Sequence, residues 1–228
     1  MGIVKAETIM KKQLVLLHTV GFIADLFKPL LAQQAPELDC LHIVDEGILR
    51  ETAKAGGLAP SVTRRVISQT LLAADLNPDM ILFTCSATSP AVDLVRRMVT
   101  VPVMKIDDPL TDAAMQGGTN IAFVGTTKGS LGPGVDLIYA KAAAAGKTVT
   151  VAPILLEAAF AARQAGNIEE HDNLVGGKVR EIAASHDVVV LGQASMAHLA
   201  EPLRQTVQKP VLGSVSLCIQ ELRKVMLS

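Results

Sequence analysis

The chain has 228 residues, a formal net charge of −1, and a composition that is 50% hydrophobic but only 3% aromatic. This length suits one large domain or two small ones around an aliphatic core, and the near-neutral charge argues against a nucleic-acid partner. Three cysteines without a Cys-x-x-Cys spacing favour neither a disulfide scaffold nor a zinc site, so we expect a reducing, cytoplasmic environment. No apolar run reaches the length of a membrane span, so no membrane partner is expected.

The first half of the chain alternates predicted strands and helices after a polar lead-in over residues 1–12. In order, the predicted elements are strand 13–18, helix 21–34, strand 38–44, helix 61–76, strand 80–83, helix 90–98 and strand 101–106. The helices are predicted from apolar side chains at helical spacing and the strands from short apolar runs. Ser61 is the expected N-cap of its helix, and residues 53–59, with paired glycines, are expected to form a loop.

The second half repeats this alternation. Its predicted elements are helix 111–116, strand 120–124, helix 134–145, strand 148–155, helices 158–164 and 168–185, strand 188–191, helix 196–207, strand 211–215 and helix 216–226. The glycine-rich stretch 129–134 lacks the Lys-Ser/Thr ending of a phosphate loop, and is interpreted as a tight turn before its helix. Strands that alternate with helices throughout predict parallel sheets with crossover helices, the α/β class.

An internal repeat divides the chain into two similar halves. A shift of 108 residues places Asp79 on Asp187 and Pro102 on Pro210 without a gap, and it places Cys85 on Gln193. We therefore predict two pseudo-symmetric parallel-sheet α/β domains, one formed by residues 1–108 with 209–228 and the other by residues 109–208. Facing each other, their strand-end loops would line one cleft, which is the predicted active site.

The stretch from Met80 to Pro90 carries the strongest candidate for chemistry. It reads as a buried strand, a turn rich in hydroxyl side chains, and a helix start at which proline is tolerated. Cys85 therefore lies at the carboxyl end of a strand and faces a helix N-terminus, the place where open α/β sheets bind ligands. Free N–H groups there favour an anion, either a substrate carboxylate or a thiolate. Cys40 and Cys218 are predicted to be core residues.

Three motifs resemble the aspartate/glutamate/hydantoin racemase superfamily: Phe-Thr-Cys-Ser-Ala-Thr at 83–88, Gly-Thr-Thr at 125–127 and Leu-Gly-Gln-Ala-Ser-Met at 191–196. The resemblance implies proton transfer, without a cofactor or metal, at the carbon next to a carboxylate or carbonyl. The substrate would be a small acid, an amino acid or a hydantoin-like cyclic amide, and the protein would be a homo-oligomer. Cys85 is the implied catalytic residue. The expected substrate-binding residues are His18, Thr19, Ser86, Ala87, Thr88, Thr126, Thr127, Gln193, Ala194 and Ser195.

The sequence departs from the family pattern at Gln193, where a second cysteine is expected to return the proton on the opposite face. A glutamine amide has no acid or base form near neutral pH. Four alternatives stay open: racemisation with another second acid such as His18 or Ser195, a one-thiol reaction like that of arylmalonate decarboxylase, covalent isomerisation like that of maleate isomerase, and anion binding without catalysis. Asp107 and the Asp45–Glu46 pair are expected in solvated loops, because a carboxylate would repel an anionic substrate.

Overall fold

The computed structural model describes residues 11–228, so nearly all of the predicted polar lead-in lies outside the described residues. The strands are β1 (Lys12–His18), β2 (Leu38–Val44), β3 (Met80–Phe83), β4 (Val103–Lys105), β5 (Asn120–Gly125), β6 (Thr150–Leu155), β7 (Val188–Leu191) and β8 (Val211–Gly213). They form two parallel four-stranded sheets, ordered β2-β1-β3-β4 and β6-β5-β7-β8. The predicted fold class, two parallel-sheet α/β halves, is confirmed.

Helices cover both faces of each sheet. They are α1 (Gly21–Gln34), α2 (Glu46–Ala55), α3 (Pro60–Ala74), α4 (Ser89–Val95), α5 (Asp107–Gly117), α6 (Lys128–Ala144), α7 (Glu157–Gln164), α8 (Ile168–Ile182), α9 (Ala200–Val207) and α10 (Ser214–Leu227). Short 3-10 turns at Ser86–Thr88 and Ala194–Leu199 follow β3 and β7. Over residues 11–228, no helix has both the length and the apolar character needed to cross a bilayer.

The internal repeat is visible in the strand contacts. The carboxylate of Asp79 accepts the N–H of Gln13 at 2.7 Å, and that of Asp187 accepts the N–H of Asn120 at 2.9 Å. Each contact joins the residue before a central strand to the start of its neighbour, β1 in one sheet and β5 in the other. The repeated aspartates therefore have the same structural role in both halves.

Helix α2 was not expected from the sequence, and Asp45 explains why it forms. One carboxylate oxygen of Asp45 accepts the N–H of Gly47 at 3.0 Å, an N-cap contact. The same carboxylate accepts two hydrogen bonds from the Arg65 guanidinium, at 2.6 and 2.7 Å, and it is only 9% exposed. The expected solvated loop at Asp45 is therefore wrong. Helix α3 begins at Pro60, so Ser61 is inside the helix and does not cap it.

Helix α6 begins at Lys128, six residues before its predicted start, so its glycines lie inside the helix. A Cβ atom added to Gly134 would lie 2.2 Å from the ring of Phe123 on β5. The interpretation of residues 129–134 as a tight turn is therefore wrong. The glycine at 134 is needed because α6 packs closely on the sheet.

Each half contributes one helix to the core of the other half. Helix α5 follows β4 of the first sheet, yet Leu110 and Ala114 pack against side chains of the second sheet. Helix α10 follows β8 of the second sheet, yet Ile219 and Leu222 pack against Leu14 and its neighbours in the first sheet. The domain division at residue 209 stays a prediction. Helix α10 packs on the first sheet, whereas β8 pairs with β7 of the second sheet.

Candidate active site

The loops at the carboxyl ends of the two sheets meet each other. The hydroxyl of Ser86, directly after Cys85, lies 3.4 Å from the carbonyl oxygen of Gly192, directly before Gln193. Further out, the guanidinium of Arg163 on α7 lies over the ring of Phe22 on α1, 4.7 Å from its centroid. Both contacts join the two halves, so the loops after β1, β3, β6 and β7 lie together where the two sheets meet.

Cys85 lies in extended backbone between β3 and the 3-10 turn, and the residue as a whole is partly exposed. Burial raises the pKa of the thiol, which is the largest influence on it. Hydrogen bonds from the Thr19 hydroxyl and from the N–H groups of Ala87 and Thr88 act in the opposite direction and lower the pKa. The thiol is thus protonated at neutral pH, in a setting that supplies donors to a thiolate once one forms.

His18 belongs to a buried hydrogen-bonded chain beneath the cleft. The Thr84 hydroxyl donates to the carbonyl of Leu17 at 3.2 Å, so it accepts from His18 Nδ1 at 2.8 Å. His18 Nε2 then accepts from His42 Nδ1 at 3.0 Å, between rings tilted by only 8°. Burial and the neighbouring His42 lower the pKa of His18 to about 4, so the ring is neutral. Both ring nitrogens are used within the protein.

Two of the expected substrate-binding residues in the first half point to the protein interior. The Thr88 hydroxyl is fully buried and donates to the carbonyl of Cys85 at 2.8 Å, which closes the turn. The Ser86 hydroxyl donates to Asp107 Oδ1 at 2.8 Å, and Ser89 donates to Oδ2 at 3.2 Å. Asp107 is 2% exposed, so its expected place in a solvated loop is wrong. Burial raises the pKa of Asp107 from 3.8 to about 6.

In the second half, the side chain of Gln193 is bound to the strand end of β5. Its Oε1 accepts the Thr126 N–H at 2.5 Å and the Thr126 hydroxyl at 2.9 Å. These are the donors that the sequence assigned to a substrate carboxylate. A Cβ atom at Gly192 would lie 2.2 Å from the Phe123 ring, so the close approach before Gln193 requires glycine.

The remaining expected residues lie around the cleft. The Thr127 hydroxyl lies 2.8 Å from that of Ser130 at the start of α6. Ala87, Ala194 and Ser195 are partly exposed. Ala194 and Ser195 also border a groove of about 610 Å³ that Phe22 and Arg163 line on the opposite side. Within residues 11–228, no three side chains of His, Cys, Asp or Glu are grouped so that they would hold a metal ion.

The structure adds three residues that the sequence did not assign to the cleft: Ser89, the buried Asp107, and Arg163, which contacts Phe22. Asp107 follows β4 at a strand end, a position that favours function, and it was set aside only because of its charge. The role of Arg163 could not be predicted, because nothing in the sequence around it indicates a contact with α1.

Residues 20–222 match the protein family described as Asp/Glu/Hydantoin racemase. No curated protein is detectably similar to the chain in sequence. Among solved structures, allantoin racemase from Klebsiella pneumoniae is 18% identical, with a TM-score of 0.64 over 95% of this chain and 88% of that one. Aspartate racemase of Picrophilus torridus is 12% identical, with a TM-score of 0.68 over 94% of both chains. A putative Asp/Glu racemase from Yersinia pestis is 12% identical, with a TM-score of 0.74 over 95% and 100%. At these identities the structures share the fold.

Proposed function

The chain belongs to the Asp/Glu/hydantoin racemase family, and on that premise we propose that it catalyses proton transfer without a cofactor. The reacting carbon lies next to a carboxylate or carbonyl of a small acid, an amino acid or a hydantoin-like cyclic amide. Cys85 exchanges the proton with this carbon. Family membership supports an isomerase-type reaction, and the details of the cleft support the role of Cys85.

The observation that carries the proposal is the environment of the Cys85 sulfur. Cys85 is a partly exposed residue at a strand end, and, against the effect of burial, the Thr19 hydroxyl and the N–H groups of the next turn lower the pKa of its thiol. Donors of this kind stabilise negative charge on sulfur or on a nearby enolate oxygen. A carbon acid needs such a base or acid in a desolvated place. Cys40 and Cys218 are not in such an environment, since Cys40 lies within β2 and Cys218 is fully buried in α10.

The opposite face of the substrate lacks an acid or base of comparable strength. Gln193 replaces the second thiol, and its carbonyl oxygen is held by Thr126. His18 is 2% exposed and uses both ring nitrogens, so it does not serve as the second acid. Ser195 is the remaining alternative from the sequence. The geometry therefore favours a reaction in which one thiol serves a single face.

The protonation state of Cys85 favours a second candidate function, decarboxylation. A thiol with a raised pKa rests as an acid, which suits the delivery of a proton to an enolate formed by loss of carbon dioxide. Racemisation would instead require the thiolate to form first. Covalent isomerisation also requires a thiolate, so the same observation weighs against it.

Proton exchange in heavy water tests the proposed function. Candidate amino acids, hydantoins and small 2-substituted acids are incubated in D₂O, and α-deuteration is followed by NMR. Cys85→Ser is expected to reduce exchange by at least about 100-fold, since general acid–base groups contribute roughly 10²–10⁴-fold. Cys40→Ser, in β2, is the matched thiol control and is expected to leave the rate unchanged.

Two outcomes would contradict the proposal in different ways. Exchange that persists in Cys85→Ser would remove the thiol from the mechanism. Substrate binding without exchange, unchanged by Cys85→Ala in a thermal-shift assay, would favour an anion-binding protein without catalysis.

Gln193→Cys restores a thiol at the second face, and is expected to raise racemisation relative to decarboxylation if the cleft has the proposed geometry.

A further inference from the structure

The carboxyl group of Asp107 lies behind the thiol loop and has no part in the chemistry described so far. It is the first residue of α5 and is 2% exposed. Its carboxylate accepts hydrogen bonds from the hydroxyls of Ser86 and Ser89. Ser86 begins the 3-10 turn, and Ser89 directly follows it. The start of a helix favours a carboxylate. One buried carboxyl group thus holds both ends of the turn that follows Cys85.

The second half provides an internal comparison, because it has the same architecture without the thiol. By the same 108-residue shift, the counterparts there are Ala194 for Ser86, Ala197 for Ser89 and Val215 for Asp107. The half that lacks the thiol therefore also lacks the carboxyl group and both hydroxyl donors. This co-occurrence associates Asp107 with Cys85 rather than with the general fold.

The hydroxyl of Ser86 has one proton and two acceptors within reach. Asp107 Oδ1 lies at 2.8 Å and the carbonyl oxygen of Gly192 lies at 3.4 Å. When Asp107 is ionised, it only accepts, so it draws the Ser86 proton. When Asp107 is protonated on Oδ1, this O–H donates to the Ser86 oxygen, and the Ser86 proton is free to bond Gly192.

We propose that Asp107 is a positioning residue whose protonation state decides whether Ser86 bonds the Cys85 loop to α5 alone or also to Gly192 in the second half. The protonated form ties the loop to both halves, and the ionised form releases it from the second half. The proposal deepens the proposed function, and rests on it only in taking Cys85 as the reactive group.

The surroundings of Asp107 place this change near pH 6. Burial raises its pKa to about 6, although the hydrogen bonds from Ser86 and Ser89 lower it. The ionisable groups that face it from neighbouring elements are Asp108 beside it on α5, Lys105 on β4 and Cys218 on α10. Lys105 is bound to Asp93, and Asp108 is bound to Arg96.

Alkylation of Cys85 tests the proposal without requiring turnover. The rate of reaction with iodoacetamide is measured from pH 5 to 8 by mass spectrometry of the Cys85 peptide. Far below its pKa, a thiol reacts about tenfold faster per pH unit, because only the thiolate reacts. In the wild-type protein we expect the alkylation rate to show an additional rise (the step) of about fivefold, centred near pH 6. This factor corresponds to the loss of one hydrogen bond from the loop.

Two variants are expected to move in opposite directions. In Asp107→Asn, the amide N–H₂ group donates to Ser86 at every pH. The alkylation rate of Cys85 therefore stays at the lower level and shows no additional rise near pH 6. In Ser86→Ala, no hydrogen bond to Gly192 can form. The alkylation rate of Cys85 therefore stays at the higher level (the fast branch) and also shows no additional rise near pH 6. Asp112→Asn, an exposed aspartate on the same helix that pairs with Lys141, is the control and keeps the step.

The outcomes separate this proposal from the proposed function. A wild-type profile without the step, a step that survives in Asp107→Asn, or a shift of both variants in the same direction would overturn the role of Asp107. Should Asp107→Asn fail to fold, Ser86→Ala alone decides, since its profile must be a straight line on the fast branch. A clear step in a protein that exchanges no substrate proton would contradict the catalytic proposal only.

Discussion

At the residue scale, Gln193 changes what the cleft can bind. Its carbonyl oxygen occupies the Thr126 N–H and hydroxyl, two donors at a strand end. Because the oxygen of this glutamine already accepts hydrogen bonds there, only the amide N–H₂ group of the side chain remains to bind a ligand, and it does so as a donor. The second half thus presents the amide N–H₂ group of Gln193 as a donor, in place of the Thr126 donors that the sequence predicted for a carboxylate. If the proposed function holds, we expect this arrangement to favour substrates with a single carboxylate, or with a carbonyl such as that of a cyclic amide.

Removing this side chain is expected to create an anion site. In Gln193→Ala the Thr126 donors are free, so small monocarboxylates such as propionate should bind about five- to tenfold more tightly, the worth of roughly one hydrogen bond. Isothermal titration calorimetry measures the change in Kd. Gln205→Ala, an exposed glutamine on α9 that bonds Glu201, is the control. An unchanged Kd in Gln193→Ala would show that Thr126 does not bind anions.

At the element scale, helix α6 shows why a glycine-rich stretch was misinterpreted. Its first turns contain several glycines and Pro133, residues that favour turns when only the sequence is considered. The helix forms because it packs on β5, and the ring of Phe123 fills the space above Gly134. Tertiary packing therefore outweighs local propensity here.

Two glycines of α6 are expected to respond to alanine with opposite signs. In Gly134→Ala the new methyl group meets the buried Phe123 ring, and overpacking of this kind costs about 1–3 kcal/mol. In Gly132→Ala nothing lies within 4 Å, and the gain in helix propensity is about 0.5–1 kcal/mol. Urea denaturation of both variants gives the free energies of unfolding. Equal effects in the two variants would contradict the packing argument.

At the scale of the whole molecule, the exchange of α5 and α10 couples the two halves. Each helix follows a strand of one sheet and buries its apolar face against the other. Neither half has a complete core without the helix supplied by its partner half. The arrangement also fixes the cleft, because α5 carries Asp107 to the Cys85 loop.

We therefore expect a single cooperative unfolding transition for both halves. Leu110→Ala in α5 and Leu222→Ala in α10 each remove a fully buried side chain, at a cost of about 2–5 kcal/mol. Both should lower the same transition, observed by calorimetry and circular dichroism. Val225→Ala, half-exposed on α10, should change stability by less than about 0.5 kcal/mol. Two separate transitions, each lowered by only one variant, would contradict the coupling.

The sequence by itself determined the α/β class, the order of most elements, the repeat, and the position of Cys85 at a strand end. These follow from periodicity, turn residues and apolar runs, which act over a few neighbouring residues. It missed α2, whose start depends on Asp45 and a distant Arg65. It also misplaced the start of α6, for which a contact with Phe123 is decisive.

Only the tertiary structure decided how the cleft is built. The bond between Ser86 and Asp107 joins residues 21 positions apart, and that between Thr126 and Gln193 joins residues 67 positions apart. Whether a carboxylate such as Asp107 is solvated or buried depends on such contacts, and so does its pKa. Local sequence carries no record of them, because side chains from distant strand ends meet only when both sheets have formed and exchanged their last helices.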